Sequence, residues 1–138
     1  MGTLLGLLSG PGEAINRIRE LFGSFCSDLW CVSERLGDAQ LVKTINNAML
    51  WGAFMVTEEA LEMGRAGGID IEQLKSVLST SSADSWALRH FDKASELSWS
   101  KKDTRIATDI ADTLDGPFPL TRLVGGLVRS SKHLGHAT

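Results

Sequence analysis

Between Leu36 and Gly68, apolar side chains recur at intervals of three and four: Leu41, Ile45, Ala48, Met49, Gly52, Met55, Val56, Ala60 and Met63. At 3.6 residues per turn this spacing lays one continuous stripe along a helix. No proline interrupts it, and Gly67-Gly68 stops it. Three turns are ordinary for a helix of a soluble domain, so one this long spans its domain and presents several faces to other elements. The pattern predicts a central post.

The flanking patterns are shorter. Thr3 to Leu8 is a brief apolar run with the character of a buried strand or a sheet edge, and Ser9-Gly10-Pro11-Gly12 is turn chemistry. A helix from about Gly12 to Phe22 follows, with Ala14, Ile15, Ile18, Leu21 and Phe22 on one side, and then a second extended segment at Leu29 to Val32. Two strands are marginal by themselves. Beyond the post, Asp70 caps a short helix with Gln73 completing a capping box, and Ile71, Leu74, Val77 and Leu78 point inward. The polar run Ser79 to Ser85 reads as a connection, and Trp86 to about Leu97 as a helix or an irregular segment. Asp103 to Leu114 reads as a helix with Ile106, Ala107, Ile110 and Leu114 inward. Asp115 to Pro119 is a turn, and Leu120, Leu123, Val124, Leu127 and Val128 mark a last helix. Gly125-Gly126 inside it signals either close contact with another helix or a weak spot. The expected fold is mainly α, a bundle of about six helices around one long post, with a small strand remnant at the N-terminus.

Composition narrows the function. A chain of 138 residues, 43% hydrophobic and 22% charged, fits an ordinary globular core. The net charge of −3, with 14 dispersed basic residues, gives no footprint for nucleic acid or an anionic membrane. No apolar run approaches the roughly 20 residues needed to cross a bilayer, and Leu4 to Leu8 is too short for a signal peptide and has no basic flank. The expectation is a soluble, cytoplasmic protein. Cys26 and Cys31 then read as reduced thiols, small apolar or surface residues without zinc spacing. His90, His133 and His136 are scattered and suggest no metal site.

One patch on the post is chemically unusual. Lys43, Asn46 and Asn47 stand at i, i+3 and i+4, so the ammonium and at least one carboxamide share a face one turn apart. Asparagine is unfavourable in a helix interior because its side chain competes for backbone hydrogen bonds. A solvated lysine beside asparagines bonded to other helices accounts for the spacing. So does a site in which a lysine exchanges a proton while an amide orients a hydroxyl or carboxylate. Lys102, near the start of a helix, is placed against the dipole, where a lysine can hold an anion or a carbonyl instead.

The segment Gly37-Asp38-Ala39-Gln40-Leu41-Val42-Lys43-Thr44-Ile45-Asn46-Asn47 resembles the G-x-G-x-x-x-K-x-x-N-N motif of the β-hydroxyacid dehydrogenases, the family of 3-hydroxyisobutyrate dehydrogenase and tartronate semialdehyde reductase. Ala39 stands where that motif has its second glycine. Downstream, Glu58-Glu59-Ala60-Leu61 with Gly67-Gly68-Ile69-Asp70 is similar to the family's EAL…G(I/V)D run, and Lys102-Asp103 with Ile106-Ala107 resembles its KDL.LA helix. Three motifs in order over nearly the whole chain make the resemblance specific.

The resemblance implies a fold like the C-terminal domain of 6-phosphogluconate dehydrogenase. Residues 1–34 would be the remnant of the end of a dinucleotide-binding domain, Gly2-Thr3-Leu4 through Gly10 resembling its GTL…GG strand, and residues 35–138 the helical substrate and dimerisation domain. It implies the chemistry of an NAD(P)-dependent 3-hydroxyacid dehydrogenase acting on a small 3-hydroxy acid or its semialdehyde. Lys43 would be the catalytic acid/base, with Asn47 and Asn46 on the substrate, Lys102 against the nicotinamide, and the Ser79 to Ser85 stretch lining the pocket. A neutral Lys43 needs its pKa lowered, which burial beside the other cation would favour. NAD or NADP belongs to the full enzyme and is not expected to bind these residues alone, since no G-x-G-x-x-G occurs among them. A homodimer or larger assembly is expected, and the last helix looks clipped at Thr138. Two other readings stay open: a non-catalytic helical dimerisation module, and an imine reductase-like domain, which commonly lacks the lysine that Lys43 supplies.

Overall fold

The computed structural model describes residues 4–131 and Leu134. Expectations resting on Gly2, Thr3, His133, His136 and Thr138 fall outside these. The element order is β1 (Leu4–Ser9), α1 (Gly12–Gly23), β2 (Cys26–Ser33), α2 (Asp38–Ala66), α3 (Ile71–Ser79), α4 (Trp86–Arg89), α5 (Phe91–Ser95), α6 (Ser100–Thr113) and α7 (Pro119–Ser130). The fold is mainly α, and α2 is the long post. The chain divides into two compact units, Met1–Asn46 and Asn47–Thr138, with the division inside α2.

The first unit is a β-α-β element. Its strands pair parallel, with Leu5 opposite Asp28, Gly6 opposite Leu29 and Leu8 opposite Cys31. Gly6 permits this: a Cβ there would lie 2.5 Å from a Leu29 methyl and 2.9 Å from the Cys26 sulfur. Pro11 precedes α1 and Glu13 sits in its first turn, as the helix dipole favours. Of the five residues expected on the inner side of α1, Ile15 alone is buried; Leu21 is exposed.

The second unit is built on the rest of α2. Trp51, Phe54, Met55, Ala87, Ala94, Val128 and Leu134 form its core. The Phe54 and Phe91 rings stack 4.7 Å apart, and Trp51 meets Phe54 edge-on at 6.0 Å. This corrects the expected stripe. Met55 is buried, but Ile45, Met49, Val56 and Met63 are exposed, and the buried face runs through Trp51, Phe54, Met55, Leu61 and Gly64. Both faces of α2 are apolar, so the period alone identifies a helix without identifying which face is inside.

The end of α2 follows from its glycines. Gly68 adopts φ +76°, where an L side chain is strained, and its N–H donates to the Arg65 carbonyl while Ile69 N–H donates to that of Gly64. That pair of bonds is a Schellman closure. Asp70 then caps α3, its carboxylate accepting from Gln73 N–H at 2.8 Å. No residue of α3 is fully buried and Val77 is exposed, contrary to the inward position expected for it. The Trp86 to Leu97 segment resolves into two short helices broken at His90, which gives seven helices among the described residues in place of about six. Gly125 is the expected close contact: a Cβ there would lie 2.9 Å from the Thr108 hydroxyl of α6. Gly126 makes no such approach.

Candidate active site

The head of α2 carries the first group of site residues. Its entry is fixed by Asp38, whose carboxylate accepts from the Arg35 guanidinium at 2.8 Å and from the Ser33 hydroxyl at 2.6 Å. The Arg35 hydrogen bond, then that of Ser33, holds the Asp38 carboxyl below the usual carboxylate range. Ala39 N–H donates to the Ser9 hydroxyl at 3.0 Å, which ties the first turn of α2 to the end of β1.

Lys43 and Asn47 then project from one face of α2, one turn apart, as their spacing requires. Lys43 and Asn46 are exposed and Asn47 is half-buried. The burial expected for the Lys43 amine is not found.

Lys102 stands on the first turn of α6, also exposed. Its neighbour Asp103 is the residue whose weight was not read from the sequence. Asp103 is buried, and its carboxylate accepts a hydrogen bond from the Trp51 indole N–H at 3.3 Å, which pins the start of α6 to α2 in the interior of the second unit. Ser100 is wholly buried in the same turn, and its hydroxyl has no hydrogen-bond partner. Thr104 is buried too, and its hydroxyl donates to the Ser100 carbonyl at 2.9 Å. A buried carboxylate at the fourth residue of a helix, matched to a buried tryptophan 52 residues away, leaves no periodic signal to be found beforehand.

The serine-rich connection closes on itself. The Ser79, Thr80 and Ser81 hydroxyls donate to carbonyls at the end of α3, and the Ser85 hydroxyl caps α4 by accepting from Leu88 N–H at 3.1 Å. Two open clefts mark the second unit. One, of about 410 Å³, is lined by Glu58, Glu59, Leu61, Glu62, Arg65 and Phe91, and the other, of about 380 Å³, lies between α3 and α4–α5 around Lys75, Ser76 and Arg89. Neither includes Asn47 or Lys102.

The fit of these residues to a nucleotide is partial. Lys102, exposed near the amino end of α6, suits an anionic or carbonyl-bearing group. The turn from β1 to α1 does not suit a pyrophosphate. Pro11 has no N–H, and Gly10 N–H is already given to the Ser33 carbonyl at 3.0 Å.

The family described as the NAD-binding domain of NADP-dependent 3-hydroxyisobutyrate dehydrogenase matches residues 37–138. The chain belongs to that family. The matched segment of this 3-hydroxyisobutyrate dehydrogenase-type domain contains Lys43, Asn46, Asn47 and Lys102. Over 63% of its length the chain is 31% identical to the NAD-dependent L-serine dehydrogenase of Pseudomonas aeruginosa, covering 29% of that protein. Over 98% of its length it is 22% identical to the L-threonate dehydrogenase of Cupriavidus necator, covering 48% of that protein. The fold is that of the Mycobacterium tuberculosis 3-hydroxyisobutyrate dehydrogenase solved with L-serine, with a TM-score of 0.83 at 16% identity over 96% of this chain and 52% of that one. The chain therefore spans about half or less of the length of these relatives. No helix among the described residues is long and apolar enough to cross a membrane, and none of their His, Cys, Asp and Glu side chains group as a metal site.

Proposed function

We infer that these residues form the substrate-binding and dimerisation half of an NAD(P)-dependent dehydrogenase of the cytoplasm that acts on a small 3-hydroxy acid or its semialdehyde. One observation carries this: Lys43 and Asn47 share a face one turn apart on α2, inside the segment that matches the family. Lys43 takes the hydroxyl proton as the alcohol is oxidised and returns it in the reverse direction. Asn47, half-buried, is held in orientation by its surroundings and hydrogen-bonds the substrate hydroxyl or carboxylate. Asn46 supports the same group from the exposed side. Lys102 lies against the carboxamide or a phosphate of the nucleotide. The nicotinamide, when bound, supplies the hydride acceptor.

The exposure of Lys43 fits a site that is open until a nucleotide-binding unit covers it. Covering would desolvate the amine and favour the neutral form that the reaction needs. The 138-residue polypeptide by itself therefore neither binds NAD(P) tightly nor turns over. The relatives named above act on L-serine and L-threonate by their names, so hydroxy acids bearing a second polar group are the first to assay.

The test is a fusion in which the nucleotide-binding half of the P. aeruginosa L-serine dehydrogenase is joined ahead of this chain. NAD+ and NADP+ reduction is then followed with a panel of 3-hydroxy acids. Turnover that falls about 10²- to 10⁴-fold in Lys43→Ala is expected. Turnover untouched by that substitution would overturn the assignment of Lys43. A folded fusion with no turnover on any hydroxy acid would favour the reading of a non-catalytic dimerisation module. That reading draws on the exposed apolar residues of α2 and on the exposure of both lysines.

A further inference from the structure

The first turn of α6 has little of its own to hold it. Its N-cap residue, Trp99, makes no side-chain capping bond, whereas α3 and α4 are capped by Asp70 and Ser85. Lys101 and Lys102 follow at its second and third positions, where the helix dipole opposes a cation. A helix start of this kind frays. Yet Ser100, Asp103 and Thr104 are all buried, and the Asp103 carboxylate lies on the Trp51 indole N–H.

Stability alone does not explain that choice of residues. Apolar side chains at positions 100 and 103 would fill the same interior with no carboxylate to desolvate and no hydroxyl left without a partner among the described residues. What a buried hydrogen bond adds is direction, since it is satisfied in one arrangement while apolar packing accepts several. The donor is itself held, because Trp51 is wholly buried and meets Phe54 edge-on. Trp51 also stands one turn after Asn47 on α2, so the two share a face. The bond therefore fastens the start of α6 to the side of α2 that carries Asn47.

We propose that Trp51 is a positioning residue: through Asp103 it fixes the first turn of α6, and with it Lys102, beside the Asn47 face of α2. Lys102 immediately precedes Asp103 and is exposed. Successive residues stand about 100° apart around a helix, so holding the Asp103 carboxylate inward sets the direction in which Lys102 leaves the helix. The role of Lys102 toward a nucleotide rests on the function proposed above; the fastening of α6 rests on the Trp51–Asp103 bond.

The experiment has two parts. In the 138-residue chain, Trp51 is buried while Trp30, Trp86 and Trp99 are exposed, so its indole N–H should exchange with solvent at least about a hundredfold more slowly than theirs. Trp51→Phe removes the donor and keeps a ring; Asp103→Leu removes the acceptor. Each should speed exchange of the residue 103 amide by about tenfold or more while changing the α7 amides less than about threefold, and Asp103→Asn, which keeps an acceptor oxygen, should leave it slow. The second part measures NAD+ and NADP+ dissociation constants, by fluorescence titration, in the fusion with the nucleotide-binding half of the P. aeruginosa L-serine dehydrogenase. Trp51→Phe and Lys102→Ala should each weaken binding about tenfold, and the double variant should be no more than about twofold weaker than Lys102→Ala alone. An indole N–H that exchanges like the exposed three, or a residue 103 amide indifferent to both disruptive variants, would overturn the fastening. An equal effect of Trp51→Phe with and without Lys102 would overturn the positioning of Lys102. A folded fusion that binds neither nucleotide would remove the enzymatic reading alone, and the exchange rates would still decide whether Trp51 holds α6.

Discussion

Asp38 shows how much a single side chain can settle at a helix start. It receives the Arg35 guanidinium and the Ser33 hydroxyl, and it sits in the first turn of α2, where the dipole also favours a negative charge. Its folded pKa is lowered, chiefly by the Arg35 hydrogen bond, and Arg35 is correspondingly raised. A lowered carboxylate stabilises the fold above its unfolded pKa, and that contribution is lost as pH falls through the folded value. Carbon-detected NMR of the Asp38 carboxylate should therefore give a midpoint below the ordinary aspartate value, and Arg35→Ala should bring it back up. A midpoint at or above the ordinary value in the wild-type chain would contradict the geometry at this helix start. The same contacts close the first turn of α2, the helix that carries Lys43.

At the scale of elements, the two apolar faces of α2 should respond differently to truncation. Phe54 is wholly buried and stacked on Phe91, so Phe54→Ala should cost about 3–5 kcal/mol in urea unfolding. Met49→Ala, on the exposed face, should change monomer stability by less than about 0.5 kcal/mol. Equal losses would mean that the wrong face has been taken as the interior. This is also where the sequence was least informative. The length of α2, its glycine stop and the Asp70 cap are local signals, legible from residue type and spacing. The identity of the inner face is not local: it depends on Phe91, Ala94 and Val128, which arrive from α5 and α7. The site divides in the same way. Lys43 and Asn47 are neighbours by helical period and were legible, whereas the Trp51–Asp103 bond joins residues far apart in sequence and was not. The break at His90 was missed because four- and five-residue helices are too short to carry a period.

For the molecule as a whole, the exposed face of α2 bears on assembly. Met49, Val56 and Met63 are 72%, 68% and 75% exposed and stand seven residues apart, so they form a seam that drifts only about 20° per step around the helix. Isolated exposed apolar residues are ordinary on a protein surface, but a row of three long side chains at heptad spacing matches what a partner helix would cover. A second copy of the chain supplies the same seam, and two such helices related by a two-fold axis would bury it reciprocally. Sedimentation velocity at micromolar concentration should therefore show a dimer or larger species. Val56→Glu should shift it to monomer, because a carboxylate at the middle of the seam would be desolvated without a partner. The melting temperature of the resulting monomer separates the possible causes. Val56 contributes little to its own protomer's core, so the variant should stay folded by circular dichroism, losing only the concentration-dependent part of its stability. A monomeric wild type, or a dimer indifferent to Val56→Glu, would assign the seam to a partner other than the chain itself.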